Sequence, residues 1–117
     1  MVDDEEGQII VVRTRLQAAG FDVVAALDGE EGLRLASEQP PDVVIVDLMI
    51  PKIDGIEFCK RMKKDPKLSH IPIILFTASS SGDLNELCQA YGFSAYLKKP
   101  YQANDLIHLV KSFSDGP

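Results

Sequence analysis

The chain has 117 residues, of which 45% are hydrophobic and 26% are charged, and its formal net charge is −6. This size fits one globular domain over residues 1–117 and is too short for two domains with separate cores. An acidic chain with a pI near 4.8 lacks the basic surface that direct nucleic-acid binding requires. There is no apolar stretch of about 18 residues and no signal-peptide pattern at the start, which predicts a cytoplasmic protein without membrane contact. Cys59 and Cys88 stand alone, without a CxxC motif or a nearby histidine pair, so we expect reduced thiols.

The first predicted element covers the stretch from Gln8 to Arg15, whose pattern fits two structures. Its β-branched residues are typical of a strand. The same region also places apolar residues on one face of a helix: Ile9, Val12, Leu16 and Ala19. Glutamates precede this stretch, as at the positive end of a helix, and Gly20 follows it at a natural helix stop. We prefer the helix, which leaves only Met1 and Val2 for any strand before it.

The rest of the chain alternates strand-like apolar runs with amphipathic segments of helical length. The predicted strands are Asp22 to Ala26, Val43 to Asp47, Pro72 to Thr77 and Ala95 to Lys98. The predicted helices are Glu30 to Glu38, Ile56 to Lys64, Asp83 to Tyr91 and Ala103 to Phe113. This alternation predicts an α/β domain, in which right-handed crossovers place helices on both faces of a parallel sheet.

Polar residues collect at the carboxyl ends of the predicted strands, where ligands bind in such folds. They are Asp3, Asp4, Asp47, Thr77 and Lys99. Three carboxylates in one crevice repel each other unless a cation enters, and oxygen ligands in this number suit Mg²⁺. A lysine and a threonine hydroxyl nearby can hold phosphoryl oxygens. The pattern therefore predicts a magnesium-dependent phosphoryl site.

Four motifs in this order resemble the receiver domain of two-component response regulators. They are DD at Asp3 and Asp4, DLMIPKIDG from Asp47 to Gly55, FTA from Phe76 to Ala78, and YLKKP from Tyr96 to Pro100. The likeness covers almost the whole chain and implies a flavodoxin-like, doubly wound (βα)5 fold, a three-layer sandwich with parallel strand order 2-1-3-4-5. The family has several more apolar residues before its acidic pair. The first strand is therefore expected to be truncated, either by a late start of the sequence or because the strand is stunted.

The resemblance also implies a role for each residue of the site. Asp47 would accept a phosphoryl group from a sensor histidine kinase or a histidine phosphotransfer protein. The domain would then phosphorylate and dephosphorylate itself, which is not the activity of a conventional enzyme. The ligands of Mg²⁺ or Mn²⁺ would be Asp47, Asp4, Asp3 acting through water, and the backbone carbonyl of Met49. Thr77 and Lys99 would each bind a phosphoryl oxygen.

Signal output would follow phosphorylation, by the same resemblance. Thr77 would move inward and Tyr96 would follow, changing the surface of the fourth helix, the last strand and the last helix. A downstream effector protein or an output domain would read this surface, and a homodimer could form through it. Pro100 would follow a cis peptide bond, and Gly55 would permit a turn that a Cβ would obstruct. We expect no output domain within these residues.

Three rival functions make different demands on the sequence. A flavin-binding electron carrier would need a loop rich in Ser, Thr and Gly after the first strand, where this chain has VDDEE. An aspartyl phosphatase would need an acid two residues after Asp47, where this chain has Met49. A degenerate receiver, acting as an unphosphorylated adaptor for a protein partner, stays open because the first strand is short, although all five chemical residues are present.

Overall fold

The computed structural model describes residues 1–77, 84–99 and 101–114. Its helices are α1 (Glu6–Ala18), α2 (Gly29–Glu38), α3 (Gly55–Lys64), α4 (Leu84–Tyr91) and α5 (Ala103–Ser114). Its strands are β1 (Val44–Asp47), β2 (Ile73–Thr77) and β3 (Ala95–Lys98). Strands and helices alternate from α2 onward, as the apolar pattern predicts. The predicted start of the fourth helix at Asp83 lies outside the described residues.

Helix α1 resolves the ambiguity at the start of the chain in favour of the helix. It buries Ile9, Val12 and Leu16 on one face, as the helical spacing predicts. Gly20 follows its end with a φ of +98°, in the left-handed region that glycine adopts without strain. The main-chain N–H of Phe21 then donates back to the Leu16 carbonyl at 3.0 Å. The Leu16 carbonyl also accepts from the Ala19 N–H at 3.1 Å, so the end of the helix is closed by two hydrogen bonds to one carbonyl.

The sheet is parallel and has the strand order β1-β2-β3 in its regular part. Val2 forms isolated parallel bridges with Ala26 on one side and Val46 on the other. The five segments therefore follow the predicted order 2-1-3-4-5. The prediction of a regular strand over residues 22–26 is wrong, because only Ala26 forms a bridge there. The neighbouring first segment offers little backbone to pair with, so a ladder cannot extend along residues 22–26.

The short first segment lies beside a cavity of about 510 Å³. Residues 22–26 and the start of β1 line two sides of this cavity. The N–H of Val2 donates to the Ile45 carbonyl at 2.8 Å, and the N–H of Asp47 donates to the Val2 carbonyl at 3.0 Å. Residues 40–43, which lead into β1, also line the cavity. The cavity is therefore at the amino edge of the sheet, whereas Asp47 is at the carboxyl edge.

Two apolar clusters, one on each face of the sheet, form the core. Side chains of β1 alternate between them, so that Val44 and Val46 belong to one cluster and Ile45 belongs to the other. The first cluster contains residues of α2, α3 and α4, and the second contains residues of α1 and α5. The result is the predicted three-layer sandwich. In the part of the chain that the structure describes, no helix is long and apolar enough to cross a membrane.

The two cysteines are free and buried, in agreement with the prediction of reduced thiols. Burial raises the pKa of both thiols, and for Cys59 the charge of Lys63 opposes this rise while Cys88 adds to it. Cys59 Sγ donates a hydrogen bond to the Tyr91 carbonyl at 3.2 Å. Both thiols therefore stay protonated at neutral pH and pack as small apolar side chains.

The hydroxyl of Tyr101 is buried and has no hydrogen-bond partner among the described residues. Its ring packs edge-on against Phe76, with ring centroids 5.0 Å apart. We expect Tyr101→Phe to raise the free energy of unfolding by about 1 kcal/mol, because it removes an unsatisfied polar group and keeps the ring. Urea denaturation measures this change, with Tyr91→Phe as a control in a half-buried position. A less stable Tyr101→Phe variant would show that the hydroxyl has a partner in the folded protein.

Candidate functional site

The carboxyl edge of the sheet brings together residues from four separate segments. Asp47 ends β1 and Thr77 ends β2. Lys99 follows β3, and its main-chain N–H donates to the Thr77 carbonyl at 2.8 Å. Asp3 follows the bridging residue Val2. The parallel register therefore places four positions that are distant in sequence at one edge of the sheet.

Lys99 is the cation at the centre of this edge. Its Nζ lies 2.7 Å from Asp47 Oδ2, 3.7 Å from Asp3 Oδ2 and 4.6 Å from the centroid of the Phe76 ring. Burial works to lower the pKa of Lys99. The hydrogen bond to Asp47 and the charges of Asp47, Asp3 and Glu5 outweigh burial and raise the pKa above its ordinary value. The ammonium group therefore stays protonated at neutral pH.

Asp47 has a hydrogen-bond donor at each carboxylate oxygen. Oδ2 accepts from Lys99, and Oδ1 accepts from the N–H of Met49 at 3.1 Å. The Asp47 side chain is still 12% exposed, so a small part of the carboxylate reaches solvent. A Cβ on Gly55 would lie 2.7 Å from the main-chain oxygen of Asp47. Glycine at this position allows α3 to begin close against the end of β1, which fixes the backbone that carries Asp47.

The two acidic residues near the start of the chain have different environments. Asp3 is fully buried, whereas Asp4 is exposed. Asp3 Oδ1 accepts from the N–H of Glu5 at 3.0 Å, while Oδ2 has no hydrogen-bond partner in the described ranges and faces the Lys99 ammonium. Burial raises the pKa of Asp3 above its ordinary value. The Glu5 hydrogen bond and the charge of Lys99 oppose this rise, and the charges of Asp47 and Glu5 add to it.

The raised pKa of Asp3 predicts that its charge costs stability at neutral pH. The folded state holds the proton more tightly than the unfolded chain, so stability falls as the pH rises from the unfolded pKa through the folded pKa. We expect Asp3→Asn to raise the free energy of unfolding by about 1–2 kcal/mol at pH 7.5. The gain should shrink as the pH falls and disappear near the ordinary aspartate pKa of about 4.

Urea denaturation at several pH values between 7.5 and 4.5 tests this prediction. Asp3→Ala is the matched control, because alanine also removes the charge but cannot accept the Glu5 hydrogen bond. It should be less stable than Asp3→Asn by about 1 kcal/mol. If the difference between Asp3→Asn and the wild type does not depend on pH, the stability change does not come from the charge.

The oxygen atoms at this edge suit a hard divalent cation. Within residues 1–77, 84–99 and 101–114, no group of three or more His, Cys, Asp or Glu side chains is arranged to hold a metal ion. The Lys99 ammonium lies close to both carboxylates and offsets part of their charge. The buried Oδ2 of Asp3 is an oxygen that a cation, or a water bound to one, would satisfy. Asp3, Asp4, Asp47 and the backbone carbonyl of Met49 thus remain the predicted ligands.

The other predicted residues of the site differ in burial. Thr77 is 2% exposed at the end of β2. Tyr96 is half-buried in β3, and its ring packs against the core cluster on the α2, α3 and α4 face. The side chain of Met49 is 76% exposed beside Asp47. Pro100 and its predicted cis peptide bond lie outside the described residues.

Lys52 and Asp28 form an ion pair between the loop after β1 and the start of α2, and the sequence analysis does not predict it. Lys52 has a φ of +72°, and its Nζ lies 3.8 Å from Asp28 Oδ2 and 3.7 Å from Glu30 Oε2. Asp28 also caps α2 by accepting from the N–H of Glu31 at 2.8 Å. An aspartate three positions before a glutamate is a recognisable helix start, so a signal for Asp28 exists. Nothing in the sequence indicates a left-handed backbone at Lys52.

Comparison with known protein families identifies the family to which the chain belongs. The chain matches the response regulator receiver domain over residues 1–111. The chain belongs to the response regulator receiver family. Receiver domains are signalling domains of two-component systems, and phosphorylation and Mg²⁺ binding are typical of this family.

Relatives of this receiver domain differ in how much of their length it matches. The alkaline phosphatase synthesis transcriptional regulatory protein PhoP of Bacillus subtilis is 35% identical over 112 residues, which is 96% of this chain and 46% of PhoP. The polar-differentiation response regulator DivK of Brucella anthropi is 33% identical over 113 residues, which is 97% of this chain and 92% of DivK. The receiver domain thus spans about half the length of PhoP and nearly all of DivK.

Solved structures with the same fold include a response regulator and the receiver domain of a sensor histidine kinase. A response regulator of Chloroflexus aurantiacus is 31% identical, has a TM-score of 0.92, and is matched over 98% of this chain and 94% of that chain. The receiver domain of the sensor histidine kinase PA1611 of Pseudomonas aeruginosa is 25% identical, with a TM-score of 0.89 and the same coverage. That structure has a magnesium ion coordinated in its active site cleft.

Proposed function

We propose that this receiver domain accepts a phosphoryl group on Asp47 from a sensor histidine kinase or a histidine phosphotransfer protein. One observation carries the proposal: the Asp47 carboxylate lies at the carboxyl edge of the sheet, partly exposed, with Lys99 Nζ 2.7 Å from one oxygen. A carboxylate in this position is open to a phosphorus atom from one side and is held from the other. The cation that must stabilise a bound phosphoryl group is already in place.

In the proposed reaction, an oxygen of Asp47 attacks the phosphorus atom of a phosphohistidine. An O–P bond forms and the P–N bond breaks, with its electron pair returning to the imidazole nitrogen. The carboxylate loses its negative charge as it becomes an acyl phosphate, so the Lys99 ammonium then interacts best with a phosphoryl oxygen. Thr77 lies at the neighbouring strand end, and its hydroxyl is the proposed donor to a second phosphoryl oxygen.

Mg²⁺, when bound, supplies positive charge that draws the donor phosphate and neutralises phosphoryl oxygens. The residues proposed to hold it are Asp3, Asp4, Asp47 and, through its backbone carbonyl, Met49. The buried, unsatisfied Oδ2 of Asp3 supports this assignment, because a cation on that side would replace an electrostatic cost with a favourable contact. Mn²⁺ has the same preference for oxygen ligands and should substitute for Mg²⁺.

We propose that the phosphorylated state is read on the surface of α4, β3 and α5. Thr77 and Tyr96 lie on the adjacent strands β2 and β3, so a displacement of Thr77 can reach Tyr96 through the sheet. The Tyr96 ring packs on the same core cluster as α3 and α4, which links its position to the outer surface. The proposed reader is an effector protein or an output domain, and a homodimer on this surface stays a prediction.

The mass of the intact protein after incubation with acetyl phosphate tests the phosphoacceptor function. We expect a Mg²⁺-dependent gain of one phosphoryl group in the wild type, and no gain in Asp47→Asn or in the presence of a chelator. Asp54→Asn is the matched control. Its carboxylate only caps α3, by accepting from the N–H of Glu57 at 2.8 Å, and asparagine keeps that hydrogen bond. This variant should be phosphorylated like the wild type.

The competing function is an unphosphorylated adaptor, and the limited backbone pairing next to Asp3 favours it. Asp3 is held in the sheet only through the isolated bridges of Val2, which are a weaker support than a full strand. Absence of any mass gain in a sample shown to be folded by circular dichroism would support the adaptor and exclude phosphorylation of this chain by a small donor. A mass gain in Asp47→Asn would show that another residue accepts the phosphoryl group.

A further inference from the structure

A short stretch at the end of α3 and in the following turn concentrates positive charge. Residues 60–67 contain five of the 12 basic residues of the chain: Lys60, Arg61, Lys63, Lys64 and Lys67. With the single acid Asp65, these eight residues carry a net charge of +4, whereas the whole chain carries −6. The remainder of the chain therefore carries −10. This region therefore carries a larger local positive charge than the acidic balance of the whole chain suggests.

Among the described residues, four of these five cations have no acidic partner. Arg61 Nε lies 3.3 Å from Glu57 Oε1, and Lys63 Nζ donates to the Ser69 carbonyl at 3.3 Å. In the part of the chain that the structure describes, Lys60, Lys64 and Lys67 form no ion pair, and all three are exposed. We call these three residues the basic patch.

Helix stability explains only part of the basic patch. Lys64 in the last turn of α3 interacts favourably with the helix dipole. Lys60 and Lys64 are four residues apart on one helix face, where like charges repel each other. Lys67 lies beyond the helix and gains little from its dipole. Lys60 Nζ is held 5.2 Å from the centroid of the Tyr91 ring, which orients the ammonium but does not neutralise it.

The basic patch lies on the second half of α3 and just beyond it, away from the helix start that adjoins Asp47. α3 begins beside the main chain of Asp47 and runs back along the sheet for 10 residues, which is about 15 Å. Its far end contacts the segment that leads into β2, as the bond from Lys63 to Ser69 shows. A partner on the basic patch would therefore leave Asp47 open.

We propose that the basic patch docks an acidic segment of a partner protein. A short segment with a few carboxylates can contact Lys60, Lys64 and Lys67 without approaching the acidic remainder of the surface. A nucleic-acid duplex or an anionic membrane is an extended polyanion, and it would also meet the charge of −10 carried elsewhere. The charge distribution therefore favours a short protein segment over both. This proposal is independent of phosphorylation, because the patch contains no residue of the Asp47 site.

Fluorescence anisotropy with a labelled probe tests this proposal. The probe is an eight-residue peptide with four glutamates separated by serines, titrated at about 25 mM and about 150 mM salt. We expect the variant Lys60→Gln, Lys64→Gln, Lys67→Gln to bind it about tenfold more weakly than the wild type. The matched control is Arg34→Gln, Lys98→Gln, Lys111→Gln, which removes the same charge from other exposed positions. This control should bind within about twofold of the wild type.

Several results would overturn the proposal. If both triple variants lost the same affinity for the peptide, binding would depend only on net charge and not on the basic patch. Tighter binding of a DNA duplex or of phosphatidylserine vesicles than of the peptide would assign the patch to another class of partner. The proposal would also be excluded if the wild type did not bind the peptide at the lower salt concentration. Circular dichroism establishes whether each variant is folded. If the triple variant is unfolded, the double variant Lys64→Gln, Lys67→Gln replaces it.

Discussion

We expect Lys99→Met to lower the free energy of unfolding by about 2–4 kcal/mol at pH 7.5, because it leaves two carboxylates without their cation. Asp3 is fully buried, Asp47 is 12% exposed, and the Lys99 ammonium contacts both. Methionine keeps most of the length and the apolar volume that pack against Phe76, so the loss is mainly electrostatic. The loss should shrink as the pH falls, since burial raises the pKa of Asp3 and protonation then removes the charge of that carboxylate. Urea denaturation at pH 7.5, 6 and 5 measures both effects.

A second substitution separates this electrostatic loss from a packing defect. Asp3→Asn added to Lys99→Met should restore much of the lost stability, because one of the two unpaired charges is then gone. Lys98→Met is the control at the neighbouring exposed position, and it should change stability by less than about 0.5 kcal/mol. The explanation is wrong if Asp3→Asn destabilises Lys99→Met further, or if Lys99→Met is as stable as the wild type.

We expect an engineered extension of four apolar, β-branched residues before Met1 to raise the free energy of unfolding by about 3 kcal/mol. The cavity of about 510 Å³ beside the first segment gives these side chains a place to pack. Val2 already exchanges backbone hydrogen bonds with Ile45 and Asp47. If the parallel ladder continues, the added residue directly before Met1 accepts from the Ile45 N–H and donates to the Val43 carbonyl. Each buried aliphatic side chain contributes about 1.5–3 kcal/mol, and ordering its backbone costs about 1–2 kcal/mol. The expected gain is the difference summed over four residues.

A Gly-Ser-Gly-Ser extension of the same length is the matched control for the apolar one. It adds the same backbone but no apolar side chain, so we expect its unfolding free energy to stay close to that of the original chain. Amide hydrogen exchange gives a second readout, because a longer central strand should slow exchange at Val2 and Asp47. Equal stability of the two extended proteins would show that the cavity does not accept a strand.

Much of the fold follows from local sequence patterns. The apolar run before Asp47 predicts a strand buried on both faces, and β1 is such a strand. The spacing of Ile9, Val12 and Leu16 identifies α1, although the same residues are also typical of a strand. These predictions succeed because helix and strand periods are properties of neighbouring residues. Residues 22–26 have the composition of a strand but form one bridge only, because a strand also needs a neighbour to pair with.

Local sequence patterns are sufficient to place Asp3, Asp47, Thr77 and Lys99 at strand ends, and therefore at one edge of a parallel sheet. They are sufficient because the order of strands and helices leaves the carboxyl ends on one side. Only the tertiary structure decided that Asp3 is buried while Asp4 is exposed, since burial depends on what packs around a side chain.

Two further features are visible only in the folded structure. One is the left-handed backbone of Lys52, and the other is the distance between Asp47 and the basic patch. Both depend on how segments far apart in sequence are arranged in space. Local patterns do not encode these distances, because they arise from packing between elements and not from the residues within one element.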